Sequence, residues 1–187
     1  MDRREFILLG ISSQVAAISG CTAPRAATDS PPQLPRGRFD APPSCEPENG
    51  SIASDLLSNQ GQGYIHAKDA PVDISVEPSE VKLDEKVTFT IQNSSSSKIG
   101  YTTNTPFTIL QSQSGGWKEI LVVSSGQALS SAYVLEPEGT VEIELAFTRQ
   151  GISNTELTVC DTISDGAFAF AFATNSRPFP TKEFPIL

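Results

Sequence analysis

A two-residue alternation of apolar and polar side chains recurs along the chain from Val72 onward. Between residues 87 and 92, valine, phenylalanine and isoleucine alternate with threonine and glutamine, and residues 141–147 repeat the pattern. Such alternation is typical of a β-strand with one buried face. Helical periodicity is almost absent after residue 70, so the sequence predicts an all-β fold.

The alternating segments are short and are separated by turn residues. They are residues 72–76, 87–91, 99–103, 107–111, 117–123, 131–135, 141–147, 155–161, 168–172 and 182–186. A sheet with one apolar face must bury that face against a second layer. We therefore expect an antiparallel β-sandwich of about seven to nine strands over residues 71–187, which are enough for one core and leave no room for a second domain.

The first twenty residues have the composition of an export signal. Arg3 and Arg4 precede a run from Phe6 to Gly20 that is apolar or small apart from three serines and one glutamine. A helix needs about 20 apolar residues to cross the core of a bilayer. This run is shorter, so it predicts a signal peptide over residues 1–20.

Two motifs in the leader resemble known export signals. Residues 18–21 read Ile-Ser-Gly-Cys and resemble a lipobox, which implies that Cys21 receives a diacylglycerol and becomes the first mature residue. Two acyl chains hold a protein firmly at a membrane. Arg3, Arg4 and Phe6 belong to a segment that resembles the twin-arginine motif, which implies export of a folded domain.

Two alternatives for the leader stay open. The run could be an uncleaved anchor helix, or it could be cleaved near Ala26 and Ala27 without a lipid. Both alternatives still place the domain outside the cytoplasm.

The segment 21–70 is rich in proline, serine and alanine. Proline removes a backbone donor and favours extended conformers. We therefore expect a stiff, solvated linker that starts at the lipidated cysteine and separates the domain from the membrane. Within it, Ile52 and Leu56 share one helical face, which predicts one or two helical turns over residues 51–57.

Charge and cysteine content narrow the functional classes. The chain has a net charge of −9 and no basic stripe, so it is predicted not to bind nucleic acid. Cys45 and Cys160 are the two cysteines that follow Cys21. An even pair in an oxidising compartment is most simply a disulfide, and two unrelated buried thiols are the alternative.

Three segments resemble a group of bacterial and archaeal immunoglobulin-like domains. Residues 83–93, 115–119 and 135–141 follow its G-E-x-V-x-V-x-I-x-N strand, its G-x-W strand and its L-x-P-G-E turn. Asp84 stands where the first glycine is usual, and Glu138-Gly139 reverses the usual glycine-glutamate order. The resemblance implies an immunoglobulin-like sandwich without a catalytic site. A related group, similar to intracellular bacterial proteinase inhibitors, shares this architecture.

Residues that could carry chemistry are few. His66 is the sole histidine, and no serine lies in a Gly-x-Ser-x-Gly elbow, so we expect His66 to be a surface or packing residue. A blue-copper site needs two histidines, a cysteine and usually a methionine, whereas the only methionine is Met1. A structural zinc site lacks ligands for the same reason. We expect no catalytic residue, no metal and no cofactor.

Other conspicuous side chains are predicted to be structural. Phenylalanine alternates with alanine in residues 168–172, which predicts a core strand, and Trp117 is predicted to pack in the core or across strands. Glu142 and Glu144 are expected on the solvated face of one strand.

These observations favour a non-enzymatic, exported lipoprotein. It would present an immunoglobulin-like binding or accessory module at the outer face of a membrane in the cell envelope. Its partners would be the membrane, through the lipid, and another envelope protein. The alternative is a surface proteinase inhibitor of similar architecture. An enzyme would require a pocket that holds His66 beside a serine or paired carboxylates.

Overall fold

Strands make up almost all of the regular structure in the computed structural model of the chain. The structure describes residues 33–45, 50–52, 63–102, 105–114, 116–124, 132–153, 155, 157–160, 162–175 and 178–187. Within these ranges there is no α-helix, and the only helical element is one 3-10 turn over Ala67–Asp69. The prediction of an all-β fold is confirmed.

The described residues form fourteen strands. They are β1 (Gly50–Ile52), β2 (Tyr64–His66), β3 (Val72–Glu77), β4 (Lys86–Asn93), β5 (Ile99–Thr102), β6 (Phe107–Gln113), β7 (Gly116–Glu119), β8 (Leu121–Ser124), β9 (Ala132–Leu135), β10 (Thr140–Thr148), β11 (Gly151–Ser153), β12 (Thr158–Val159), β13 (Gly166–Phe172) and β14 (Phe179–Ile186).

Two larger sheets contain most of these strands. One has four strands in the order β11-β10-β4-β3, and the other has five in the order β2-β14-β13-β6-β7. Two smaller sheets, β1-β8-β12 and β5-β9, complete the described structure. The strand pairs are antiparallel except β2 with β14, which is parallel. The predicted antiparallel arrangement is therefore confirmed.

The main core lies between the two larger sheets. The Phe89 ring of β4 stacks on the Phe170 ring of β13, with ring centroids 4.2 Å apart. From the neighbouring strand β10, Phe147 contacts Phe184 of β14 at 5.5 Å. Facing apolar sides that exclude water in this way supply most of the stabilisation of a two-layered β fold.

The five-stranded sheet is curled, so that its two edge strands approach each other. The hydroxyl of Tyr64 on edge strand β2 donates to Oε2 of Glu119 on the opposite edge strand, β7, at 3.1 Å. A hydrogen bond between side chains thus joins the first and last strands of this sheet. The concave side of a curled sheet is narrow and favours small inward side chains.

Residues 33–45 form an N-terminal strap across this concave side. Phe39 exchanges two backbone hydrogen bonds with Tyr64 at one edge, and the amide of Ser44 donates to the carbonyl of Glu119 at the other. A second apolar cluster lies beneath the strap; its buried members are Leu34, Ala41, Tyr64, Leu110, Trp117, Ala169, Ala171, Ala173 and Phe179. The strap covers both the apolar face and parts of both sheet edges.

Strand β13 shows why its sequence alternates phenylalanine with alanine. Phe168, Phe170 and Phe172 point into the core between the two larger sheets, as predicted. Ala169 and Ala171 point to the other face and are fully buried by the strap cluster. Both faces of the strand are therefore buried, and the small side chains leave space for the strap.

The segment before residue 70 differs from the solvated linker that we expected. Residues 33–45 and 63–70 instead lie against the five-stranded sheet, because Leu34, Ala41 and Tyr64 bury apolar surface there. The predicted helical turns over residues 51–57 are also not found in their described part, since Gly50–Ile52 pairs with β8 as a strand. Residues 53–57 lie outside the described residues.

Most central strands lie where the alternation predicts them, but β11 was not predicted, β12 covers only part of the predicted strand 155–161, and β14 begins at Phe179 rather than at residue 182. The predicted strand 117–123 is interrupted at Ile120, whose amide donates to Ile109 while its carbonyl accepts from Cys160. Strand β7 therefore belongs to the curled sheet and β8 to the smaller one. A strand that passes from one sheet to another usually bends at such a point.

Candidate functional site

The residues predicted to direct export lie at the N-terminal end of the chain. Arg3, Arg4, Phe6 and the lipidation residue Cys21 lie outside the described residues. The signal peptide and the lipid anchor therefore stay predictions.

A disulfide fixes the end of the strap to the body of the domain. Cys45, the last described residue of the strap, is bonded to Cys160, which directly follows β12. The amide of Cys160 donates to the carbonyl of Ile120 at 2.8 Å, so the bond is attached to the point where the chain changes sheet. Because stable structural disulfides are rare in the cytoplasm, the bond indicates a compartment outside it.

The described part of the chain contains no helix that is both long and apolar enough to span a bilayer.

A buried carboxylate lies between the edges of the curled sheet. Glu119 is only 1% exposed, and its carboxylate accepts from the hydroxyl of Thr108 at 2.6 Å and from that of Tyr64 at 3.1 Å. Buried charged groups need such partners, because transfer from water is costly without them. The carboxylate holds β2, β6 and β7 together, so its role in this geometry is structural.

This cluster was not predicted from the sequence. A signal was present, because Glu119 is in phase with Trp117 and therefore points to the same buried face. The partners Tyr64 and Thr108 come from distant parts of the sequence, and the alternation alone does not show that they meet.

His66 ends strand β2 and is half-buried. Its Nδ1 atom accepts from the backbone amide of Lys68 at 3.4 Å, which makes it the N-cap of the 3-10 turn. The parallel pairing of β2 with β14 places His66 opposite Thr181, next to Lys182 and Glu183.

A cavity of about 290 Å³ lies beside His66, between the start of the strap, the 3-10 turn and β14. Six of the residues that line the cavity are charged or titratable: Arg36, His66, Lys68, Asp69, Lys182 and Glu183. Oε1 of Glu183 accepts from the amide of Leu34 at 2.6 Å, so this carboxylate also holds the strap in place.

The cavity meets one condition that an enzyme would need, because it holds His66 together with two carboxylates, Asp69 and Glu183. Among the described residues, however, no hydrogen bond joins the imidazole to either carboxylate. Serine is not among the residues that line the cavity. The geometry contains no acid–base pair, and the absence of catalysis stays a prediction.

The other residues considered in the sequence have structural positions. Trp117 is buried under the strap, and its indole nitrogen donates to the carbonyl of Gln33 at 3.5 Å. Glu142 and Glu144 are both exposed on β10, as predicted, and Glu144 forms an ion pair with Lys86 at 2.6 Å.

Comparison with known proteins identifies no family for this chain. No family model and no curated protein matches it. An alkylpurine DNA glycosylase from Pseudomonas fluorescens is 17% identical with a TM-score of 0.33, over 63% of this chain and 30% of that one. A β-glucosidase from Listeria innocua is 12% identical with a TM-score of 0.32, over 62% of this chain and 16% of that one.

Both similarities span less than a third of the other protein's length. At such TM-scores they support no conclusion about the fold or the activity of this chain.

Proposed function

We propose that this chain is an exported, non-enzymatic lipoprotein of the cell envelope. Its lipid would be attached at Cys21, and a β-domain would be presented as a binding or accessory module at the outer face of a membrane. Its partners would be the membrane and another envelope protein.

The disulfide between Cys45 and Cys160 is the observation that carries this proposal. It is consistent with an oxidising compartment, which is where a lipobox would deliver the chain. Its position also matters, because it attaches the strap that follows the proposed anchor to the end of β12. The segment that follows a lipid at Cys21 would thereby be held to the folded body in two ways, by the packing of the strap and by the disulfide.

The finer description of the domain as an immunoglobulin-like sandwich is part of the proposal. It is supported by two facing sheets of four and five strands and by the phenylalanine core between them. The strap and the curled sheet are additions to such an architecture.

Replacing the lipidated cysteine tests the anchor directly. We expect Cys21→Ser to move the full-length protein from the membrane fraction to the soluble fraction of a lipoprotein-processing host, because the acyl chains can no longer be attached. Incorporation of labelled palmitate should be lost at the same time. Fractionation and autoradiography measure the two effects.

Cys45→Ser is the control for loss of a cysteine, since it removes the disulfide but leaves the lipobox intact. It should stay in the membrane fraction and keep the palmitate label. If Cys21→Ser kept the palmitate label, the proposed lipid anchor would be wrong.

A further inference from the structure

The cavity beside His66 has a local charge opposite to that of the whole chain. Arg36, Lys68 and Lys182 contribute three positive charges to its lining, against two negative charges from Asp69 and Glu183. The chain as a whole has a net charge of −9. A surplus of cations around a cavity in an acidic protein indicates a site for an anion.

None of the three cations forms an ion pair among the described residues. Among the described residues, ion pairs join Lys86 to Glu144 and Lys98 to Glu136, and none involves Arg36, Lys68 or Lys182. One of the two cavity carboxylates already accepts a hydrogen bond, which the backbone amide of Leu34 donates to Glu183. The guanidinium and ammonium groups therefore remain available to a ligand.

Three separate segments supply these cations. Arg36 belongs to the strap, Lys68 to the 3-10 turn and Lys182 to β14. Groups from three segments can surround a tetrahedral anion with several oxygens, whereas a planar carboxylate is satisfied by one arginine fork. This arrangement favours a phosphate group over a carboxylate.

We propose that the cavity formed by the strap, the 3-10 turn and β14 binds a phosphate group, with Arg36, Lys68 and Lys182 as its ligands. Its volume of about 290 Å³ lies near the lower end of small-ligand sites, which start at about 300 Å³. The site is therefore large enough for phosphate with a small substituent. The net negative charge of the whole chain repels anions at long range. Binding of phosphate must therefore arise from short-range contacts with the cavity residues, and binding at one such site must saturate.

The phosphate could be free or could belong to a lipid headgroup. The strap begins about a dozen residues after Cys21, and an extended chain spans at most about 3.6 Å per residue. The cavity would then lie within about 40 Å of an anchored lipid. The inference extends the proposed function by naming the ligand class of the module, and its test uses unlipidated protein so that anchoring and binding are measured separately.

Titration of the full-length chain carrying Cys21→Ser tests the site. We expect sodium phosphate to shift the backbone amide resonances of Lys68 and Asp69 in a saturable way at constant ionic strength. Lys68→Gln and Lys182→Gln should each weaken binding about tenfold, because a charge-assisted hydrogen bond is lost. Lys182→Arg should retain binding because it keeps the charge.

Lys82→Gln is the matched control, since Lys82 is exposed and lies outside the cavity lining. It makes the same change in net charge and should leave binding unchanged. Thermal unfolding of every variant verifies that the fold is intact.

Vesicles separate the two sources of phosphate. If the chain instead co-sediments with phosphatidylglycerol vesicles more than with phosphatidylcholine vesicles, and Lys68→Gln and Lys182→Gln reduce this difference, the bound phosphate is a lipid headgroup. All variants contain the same apolar leader, which can bind vesicles by itself. Only differences in co-sedimentation between variants therefore report on the cavity. Equal binding of acetate, an equal loss in Lys82→Gln, or no binding in either assay would overturn the proposal.

Discussion

Among the residues that the structure describes, two other than glycine adopt a left-handed backbone in tight turns. Asp84 has φ 64° and Glu138 has φ 61°. This conformation costs about 1–2 kcal/mol for most L-residues, although aspartate tolerates it better than glutamate. Backbone hydrogen bonds hold both turns, from Asp84 to Phe147 at 2.7 Å and from Glu138 to Asn93 at 3.0 Å. Both are positions where the resembled immunoglobulin-like pattern has glycine.

Glycine at position 138 should therefore stabilise the domain. We expect Glu138→Gly to raise the free energy of unfolding by about 0.5–1 kcal/mol, because relief of the left-handed conformation exceeds the added entropy of the unfolded chain. Urea unfolding monitored by Trp117 fluorescence measures the change.

Two variants serve as controls for this turn. Glu80→Gly also removes an exposed glutamate, but its φ is not positive, so it should not stabilise the domain. Gly139→Ala should destabilise it, because a Cβ at Gly139 would lie 2.9 Å from the carbonyl oxygen of Glu136. A destabilising effect of Glu138→Gly would contradict the explanation.

At the scale of elements, the two-residue alternation in the sequence correctly predicted most of the central strands. Strands β3, β4 and β10 each have one regular apolar face, and β13 alternates phenylalanine with alanine, so period two is visible in the sequence. The strap had no such signal, since Leu34, Phe39 and Ala41 are isolated apolar residues among prolines. Their burial depends on a concave surface formed by β2, β6, β7, β13 and β14, and all of these except β2 lie more than sixty residues away.

The same limit applies to the candidate site. The sequence identified His66 and the two cysteines as notable residues, and the structure joins the cysteines. The cavity cations Arg36, Lys68 and Lys182 are far apart in sequence and meet only because β2 lies parallel to β14 and the strap crosses beside them. A parallel pairing of this kind leaves no short-range sequence pattern.

Enlarging an alanine on the concave face should displace the strap. We expect Ala171→Leu to lower the free energy of unfolding by about 1–3 kcal/mol, because three added carbons must fit into a fully buried, narrow space. Urea unfolding measures the loss, and faster proteolysis within residues 33–45 would report the displaced strap.

Ala167→Leu provides the comparison on the same strand and the same face. Ala167 is only half-buried at the margin of the strap cluster, so the larger side chain should cost less. Equal stability losses in the two variants would show that the strap does not constrain the space above Ala171.

At the scale of the whole molecule, the disulfide closes a loop of 115 residues that contains most of the domain. Cross-linking restricts the unfolded chain, and for a loop of this length the chain-entropy model gives about 4–5 kcal/mol. A chain of this size has a total stability of only about 5–15 kcal/mol. The disulfide is therefore expected to supply a large share of it.

Replacing both cysteines should reveal how much the disulfide contributes to the stability. We expect the variant that combines Cys45→Ala with Cys160→Ala to unfold with a free energy about 3–5 kcal/mol lower than the parent. Denaturation with and without reductant measures the difference. Reductant should destabilise the parent and leave the double variant unaffected, and a parent insensitive to reductant would refute this account of its stability.

The strap also determines how the domain would respond to mechanical force. Tension applied at the N-terminal end would first peel residues 33–44 away from the curled sheet, breaking the contacts of Leu34 and then those of Phe39. At Cys45 the pull would reach the disulfide, and the load would pass to Cys160 without extending the chain between the two cysteines. The molecule would therefore yield by a short extension of the strap, while strands β1 to β12, which the disulfide encloses, stay shielded from the force.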